Sequence, residues 1–357
     1  MADGQPYGNR VRNFSHSAVY SVVLDAILST PSYWSRLNGM GEKFNYPTKK
    51  YTTKVARTNQ GQTFRGLEKL NSSASDTTIQ LEYNHTGYTH PTVKILLEQM
   101  AVEGMGEDIN LSDFINAEAI AEINEDLGGL VYGAGIGDNF NGLEKIVDDG
   151  TTSDLIGGQS RSTYSQLNST VTASGGTLSL SKLAALYSAV ASGTKKPSIM
   201  VTTQEIFNFV EELIQPQTRG SYDAHGYLPI RGKAVKARTS DTFGEAGFTT
   251  LVYRGVPIIA DEFATAGTLY MLNENYINWA GRTAVPKDFR GDLKAVSLGK
   301  TSSLDLNYKP SDFHGWFHQK EQMMPDQAGR IGRFYVIGNV CTSNPRRHGK
   351  LTGITGV

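Results

Sequence analysis

Among residues whose types and spacing could do chemistry, the glycine run Gly133-Ala134-Gly135-Ile136-Gly137-Asp138 comes first. A Gly-x-Gly-x-x-Gly turn lets backbone N–H groups approach a pyrophosphate, but only where it follows a strand and opens a helix. Here it follows a helical pattern, and Asp138 stands where the last glycine belongs. Gly299-Lys300-Thr301 has the ending of a phosphate loop, yet Lys294 occupies the position of its leading glycine. His314, His318 and Glu321 could suggest a metal, although their neighbours Phe313, Trp316 and Phe317 favour packed histidines and no further ligand pattern accompanies them. Cys341 is the one cysteine and sits in an apolar run, where a thiol behaves as a small hydrophobe; a thiolate cluster and an internal disulfide are both excluded. Asp148-Asp149 and Glu211-Glu212 read as turn and surface acids. Arg346-Arg347-His348 reads as a solvated basic tail or inter-subunit partner, with DNA phosphate as its functional alternative. No catalytic residue, no cofactor and no metal site is expected.

The elements around these residues say more than the residues do. From Asn110 to Leu143 the chain reads NLSDFINAEAIAEINEDLGGLVYGAGIGDNFNGL. Asn110 or Ser112 can cap a helix. Phe114, Ala117, Ile120, Ile123, Leu127, Leu130 and Val131 then recur at steps of three or four, which is one apolar face. At about 1.5 Å per residue such a helix is on the order of 30–35 Å long. It stops at Gly133, Gly135 and Gly137, where left-handed backbone costs little. This is a spine.

With 357 residues and 34 Lys+Arg against 35 Asp+Glu, the near-zero net charge argues against a dedicated nucleic-acid binder. The apolar stretch Ala18–Leu28 is broken by Asp25 and too short to span a bilayer, and the N-terminus lacks a signal-peptide pattern, so a cytosolic protein with no membrane partner is expected. The balance conceals a split. Residues 1–70 hold ten Lys/Arg and four acids, whereas residues 95–126 hold nine acids and no Lys or Arg. Solvated faces are the plain reading of such runs, and self-association in trans is the sharper one.

Residues 1–44 read as an arm with one short helix, Ser17–Ser29, and aromatic anchors Tyr33, Trp34 and Phe44. Residues 45–83 read as a long two-stranded excursion that must lie on a neighbour, since an isolated hairpin is marginal in water. Beyond the spine the pattern is mixed α/β. Leu183, Leu186, Tyr187 and Val190 mark a helix; Ser198–Thr202 a buried strand; Thr202 with Glu205 a capping box for the next helix. Residues 217–247 read as a long mobile loop. Two strands around Arg254-Gly255, a third near Leu269 and the closing run Arg333–Ser343 complete the pattern.

Several of these stretches, in this order, resemble the tailed-phage major capsid proteins. They are Tyr132-Gly133-Ala134-Gly135-Ile136-Gly137 through Asn141-Gly142-Leu143, Val147-Asp148-Asp149-Gly150, and Gly157-Gly158-Gln159-Ser160-Arg161-Ser162-Thr163. Tyr253–Asp261, Thr268–Asn273, and Gly338-Asn339-Val340 with Asn344 and Gly349 follow. The similarity covers roughly residues 80–350; Ala134, Ile136 and Gln159 depart from the family's usual residues. The resemblance implies an α+β chain of the Hong Kong ninety-seven capsid fold. Its parts would be an N-terminal arm (1–44), an extended β-hairpin loop (45–80), a peripheral domain carrying the spine helix (81–138 and 289–357) and an axial domain (139–288).

It further implies a non-enzymatic major capsid protein of a tailed virus. Such a protein self-assembles into pentamers and hexamers of an icosahedral shell around double-stranded DNA, held by weak non-specific contact. Scaffolding protein, portal and decoration protein are the implied partners, the host cytoplasm the place of assembly and the virion capsid the destination. An encapsulin-type nanocompartment is the alternative, and a cytosolic α/β enzyme with its pocket within residues 180–280 the third reading. The charge split adds one expectation about contacts: Lys49, Lys50, Lys54, Arg57 and Arg65 of one subunit lie across Glu118, Glu122, Glu125 and Asp126 of the next.

Overall fold

The computed structural model describes residues 32–56, 63, 65–66, 76–103, 111–173, 175–214, 251–284, 292–295 and 315–356. The expected Ser17–Ser29 helix, Arg57, the 217–247 loop, Gly299-Lys300-Thr301 and His314 lie outside these residues. The chain opens with helix α1 (Ser32–Gly39) and strands β1 (Glu42–Lys43), β2 (Thr48–Lys54), β3 (Thr78–Asn84) and β4 (Thr86–Ile95). Helices α2 (Leu96–Glu103), α3 (Leu111–Tyr132) and α4 (Leu143–Ile146) come next, then β5 (Leu155–Ile156), β6 (Gln159–Ser160), β7 (Thr170–Thr172) and β8 (Gly176–Thr177). Helix α5 (Leu180–Val190), β9 (Ile199–Thr202), α6 (Gln204–Ile214), β10 (Leu251–Tyr253) and β11 (Val256–Ala260) continue the chain. It ends with β12 (Leu269–Leu272), β13 (Ile277–Gly281), β14 (Leu293–Ala295), β15 (Trp316–Met323), β16 (Gly329–Thr342), β17 (Gly349–Leu351) and β18 (Ile354–Gly356).

Two compact units divide these elements. One draws its described residues from Met1–Asn45, His85–Leu130 and Trp279–Asn339; the other draws them from Tyr46–Asn84, Val131–Asn278 and Val340–Val357.

In the first unit β4 runs antiparallel to β16, and β16 to β15, so that His90, Phe334 and His318 stand in one row across three strands. Because alternate residues of a strand face opposite sides, Tyr88 and His90 share a face. That face meets the spine helix α3: Tyr88 donates to Asp126, and His90 Nε2 lies 2.7 Å from Glu122 Oε2. Helix α1 adds buried Tyr33, Trp34 and Leu37. Trp34 meets Trp279 edge-on, with ring centroids 5.0 Å apart, and its Nε1 donates to Asn124 Oδ1 at 3.2 Å. Trp279 leaves no room at Gly338, where a Cβ would lie 2.5 Å from its ring.

The spine spans Leu111–Tyr132 as its pattern predicts. Its buried line differs at the start, running through Ile115, Ala119, Ile120, Ile123, Leu127 and Val131. Leu130, assigned to the apolar face from spacing, is only half-buried. The side chains of Phe114 and Ala117 lie outside the described set.

In the second unit a six-stranded sheet runs β10-β11-β9-β12-β17-β7. Its centre is read directly in the sequence. Ile199–Thr202 is buried at every position, as expected of a strand covered on both faces. Helix α5 packs against β7, β12 and β17, while α6 packs against β11. Leu183, Leu186, Val190, Ile206, Phe207 and Val210 close the core over Met200, Ile258 and Leu269. Arg254 (φ 50°) and Gly255 (φ 79°) both take left-handed backbone in a two-residue hairpin turn between β10 and β11, the twist such hairpins favour. The expected capping box is corrected. Thr202 belongs to β9 and donates its hydroxyl to the Thr268 carbonyl at 3.0 Å, so it cannot cap a helix that starts at Gln204.

Candidate assembly surfaces

The hairpin β2–β3 begins at the register Thr48↔Asn84 and continues to Lys54↔Thr78. Leu81 and Tyr83 point inward, whereas Lys50, Thr52 and Lys54 are exposed. Two clamps within its own unit hold the described strands. On one side the Tyr83 hydroxyl donates to the Thr342 carbonyl at 2.9 Å and Thr53 Oγ1 to the Ser343 carbonyl at 3.0 Å. On the other, Glu82 N donates to Gly157 O at 2.8 Å and Gln159 Nε2 to Gln80 O at 3.1 Å. Gly157 needs its left-handed backbone (φ 54°) and lack of a side chain, since a Cβ would lie 2.8 Å from that of Leu81. These bonds fix a ribbon that would be marginal by itself.

Lys50 finds an acid inside the hairpin, with Nζ 2.6 Å from Glu82 Oε1; these side chains are 54% and 45% exposed. Such a pair contributes about 0–1 kcal/mol, little enough for a neighbour to compete for either partner. Lys49 Nζ stands 5.3 Å from the centre of the Tyr51 ring. Arg65 is exposed. On the spine, Glu118, Glu122 and Glu125 are half-buried and Asp126 is exposed. Glu122 and Asp126 already engage His90 and Tyr88. Burial and then Asp126 push the Tyr88 phenol upward, so this hydroxyl stays a donor.

A polar group buried below the hairpin base was missed in the sequence. Asp148, expected as a turn or surface acid, does hold a turn but is buried, and its Oδ2 accepts from the backbone N–H groups of Gly150, Thr152 and Ser153 at 2.9–3.0 Å. Its Oδ1 lies 3.6 Å from Lys350 Nζ. Burial alone would raise the Asp148 pKa; the Ser153 and Gly150 donors, Lys350 and Arg161 outweigh it and hold the carboxyl below its ordinary value. Arg161 is buried as well and donates from Nη2 to the carbonyls of Lys145 (2.7 Å) and Ile146 (3.1 Å). The basic tail is corrected in part, since Arg346 stays exposed and Arg347 half-buried. Pro345–Arg347 forms a 3₁₀ turn, β17 follows at once, and His348 is fully buried. His348 Nδ1 accepts from Asn273 N, and Nε2 lies 3.3 Å from Thr342 Oγ1. Burial lowers its pKa to about 3, so the imidazole is neutral. The reason is topological. β17 is an interior strand between β12 and β7, which no local charge pattern reveals.

The glycine break is structural too. Gly135 and Gly137 have φ of 61° and 67°. A Cβ on Gly142 would fall 2.1 Å from the Gly133 carbonyl oxygen. His318 packs on Phe334, with centroids 4.6 Å apart, and Cys341 is buried and unbridged. Among the described residues no group of three His, Cys, Asp or Glu is placed to hold a metal, and no helix is long and apolar enough to cross a membrane.

No family model and no curated protein matches this sequence. Solved structures do. A chain of the cyanophage A-1(L) capsid asymmetric unit superposes with a TM-score of 0.71 at 12% identity, covering 95% of this chain and 97% of that one. The fold is the Hong Kong ninety-seven type. The holo-SrpI encapsulin complex of Synechococcus elongatus PCC 7942 has the same likeness at TM-score 0.57, 11% identity and 97% and 95% coverage. The capsid of a native GTA particle gives 0.57 at 9% identity, with 96% of each chain covered. The expected α+β Hong Kong ninety-seven fold is thus the one this chain adopts.

Proposed function

We propose that the protein is a structural shell subunit, the major capsid protein of a tailed virus, which assembles into pentamers and hexamers of an icosahedral capsid around double-stranded DNA and performs no catalysis. The observation that carries this reading is the near-complete mutual coverage with the cyanophage A-1(L) capsid subunit at TM-score 0.71. A two-stranded hairpin whose outward face carries Lys50 and Lys54 supports it, since such a face gains a function when it meets another copy. The division into arm 1–44, loop 45–80, peripheral domain 81–138 with 289–357 and axial domain 139–288 belongs to this proposal. So do scaffolding protein, portal and decoration protein as partners, non-specific DNA contact, and assembly in the host cytoplasm.

The contact we assign to the hairpin is electrostatic. Lys49, Lys50, Lys54, Arg57 and Arg65 of one subunit lie across Glu118, Glu122, Glu125 and Asp126 of the next. The encapsulin likeness at TM-score 0.57 supports a second reading, a protein nanocompartment. Size-exclusion chromatography with light scattering tests the shell, and nuclease-resistant DNA inside purified particles separates the two readings. Particles of megadalton mass are expected; a monomer that neither salt, crowding nor a scaffolding protein can assemble contradicts both.

A further inference from the structure

The stretch Val93–Met100, VKILLEQM, is folded inside out. Its two charged residues are buried, Lys94 at 5% exposed and Glu98 at 6%, and Lys94 pairs with Glu321. Its apolar side chains are outside: Val93, Ile95, Leu96, Leu97 at 56% and Met100 at 58% exposed. They make up half of the large exposed hydrophobics among the described residues, so this is a patch rather than scatter.

The β4 alternation explains the inversion. Tyr88 and His90 face the spine helix and Lys94 follows them on that side of the strand, so Val93 and Ile95 turn to the other face of the sheet. Helix α2 begins at Leu96 and carries the apolar surface onward through Leu97 and Met100. β4 pairs only with β16 among the described strands, and Pro91 lies within it without breaking the register, a residue that blunts an edge against strand addition. What remains for recognition is the side-chain surface.

We infer that this β4–α2 patch is a contact surface for a second copy of this chain, an inference that rests on the shell reading above. The five side chains expose on the order of 400 Å², near the largest patch an ordinary monomer carries. A stable pairwise interface needs about 800 Å² on each partner. The patch is therefore too small to hold a lone one-to-one partner, and it suits a contact repeated around a closed array of identical subunits. Within the stretch Lys94 and Glu98 are turned inward, and an exposed charge beside it on the same face is Arg333, the cross-strand partner of Pro91. This contact differs from the hairpin–spine charge contact: it is apolar, lies on the opposite side of β4 from the spine, and strengthens with salt where the other weakens.

Photo-crosslinking tests it. A benzophenone amino acid at position 97, in particles purified as assembled, is expected to give products of twice the subunit mass whose crosslinked peptides both come from this chain. Hydrogen exchange over residues 93–100 of the wild type is expected to slow at least tenfold between free subunits and shells. Leu97→Asp with Met100→Glu is expected to leave the unfolding midpoint of the free subunit unchanged and to reduce shell yield at least tenfold. Crosslinks solely to a scaffolding or decoration protein overturn the inference, as does equal exchange in free and assembled states. So does normal assembly of the double variant. Each of these reversals is seen with shells present, whereas a failure of the shell reading leaves no particles at all.

Discussion

His348, Asp148, Arg161 and Lys350 show how a residue's environment overrides its type. Asp148 read as a turn or surface acid and His348 as part of a basic tail, and their sequence separations gave no hint that Val340–Leu351 returns to the 144–169 segment. Only the long-range pairing of β17 with β12 and β7 brings them together. The consequence is acid lability. His348 has its folded pKa lowered to about 3, against about 6.5 when unfolded. The unfolded chain therefore binds more protons between these values, and stability falls as pH drops through that window, by at most about 1.4 kcal/mol per pH unit. Asp148, also lowered, adds stability that is lost only further down, below the ordinary aspartate range. Urea unfolding at pH 7, 5.5 and 4.5 should show a falling midpoint, and His348→Gln should flatten the slope across that interval. An unchanged slope in the variant contradicts this account. At the glycine break, Gly142→Ala would set a Cβ against the Gly133 carbonyl oxygen. An overpacking cost of about 1–3 kcal/mol is expected, measured as a lower midpoint in the same titration.

The spine and the hairpin were legible as elements because their signals are local. A capped apolar repeat ends in glycines, and Thr-rich alternating runs flank a polar loop. The phase of the spine's first turns was not legible, because several registers of Phe114, Ile115, Ala117 and Ala119 satisfy a helical stripe equally well. β4 and α2 had no sequence reading, although the alternation of Tyr88, His90 and Lys94 with Thr89, Val93 and Ile95 carries one. The charge contact is tested at this scale. Reversing Lys50, Lys54 and Arg57 to Glu places a carboxylate opposite Glu82, a change of a few tenths of a kcal/mol for an exposed pair. Thermal unfolding of the free subunit should move by no more than about 2 °C while assembly is blocked. Reversing Glu118, Glu122 and Glu125 to Lys in the same chain should partly restore it. Normal low-salt assembly of the triple variant would show that the hairpin is held by other contacts.

As a whole the molecule is two compact units on one chain, each with its own sheet, and the hairpin β2–β3 belongs to the second. Composition could exclude a thiolate cluster and a membrane-spanning helix, but not choose between an enzyme and a shell. The ordered series of weak stretches resembled a capsid family, and the tertiary fold is the Hong Kong ninety-seven type which that resemblance implied. In the proposed shell weak contacts suffice, because a few tenths of a kcal/mol per pair is repeated through every ring of a closed surface. Electron cryomicroscopy of the purified, assembled protein tests that claim most directly. The account predicts closed icosahedral shells with five- and sixfold rings, each subunit carrying the spine helix Leu111–Tyr132 and the clamped hairpin. Discrete dimers or monomers under every assembly condition, or an open filament of subunits, would contradict it.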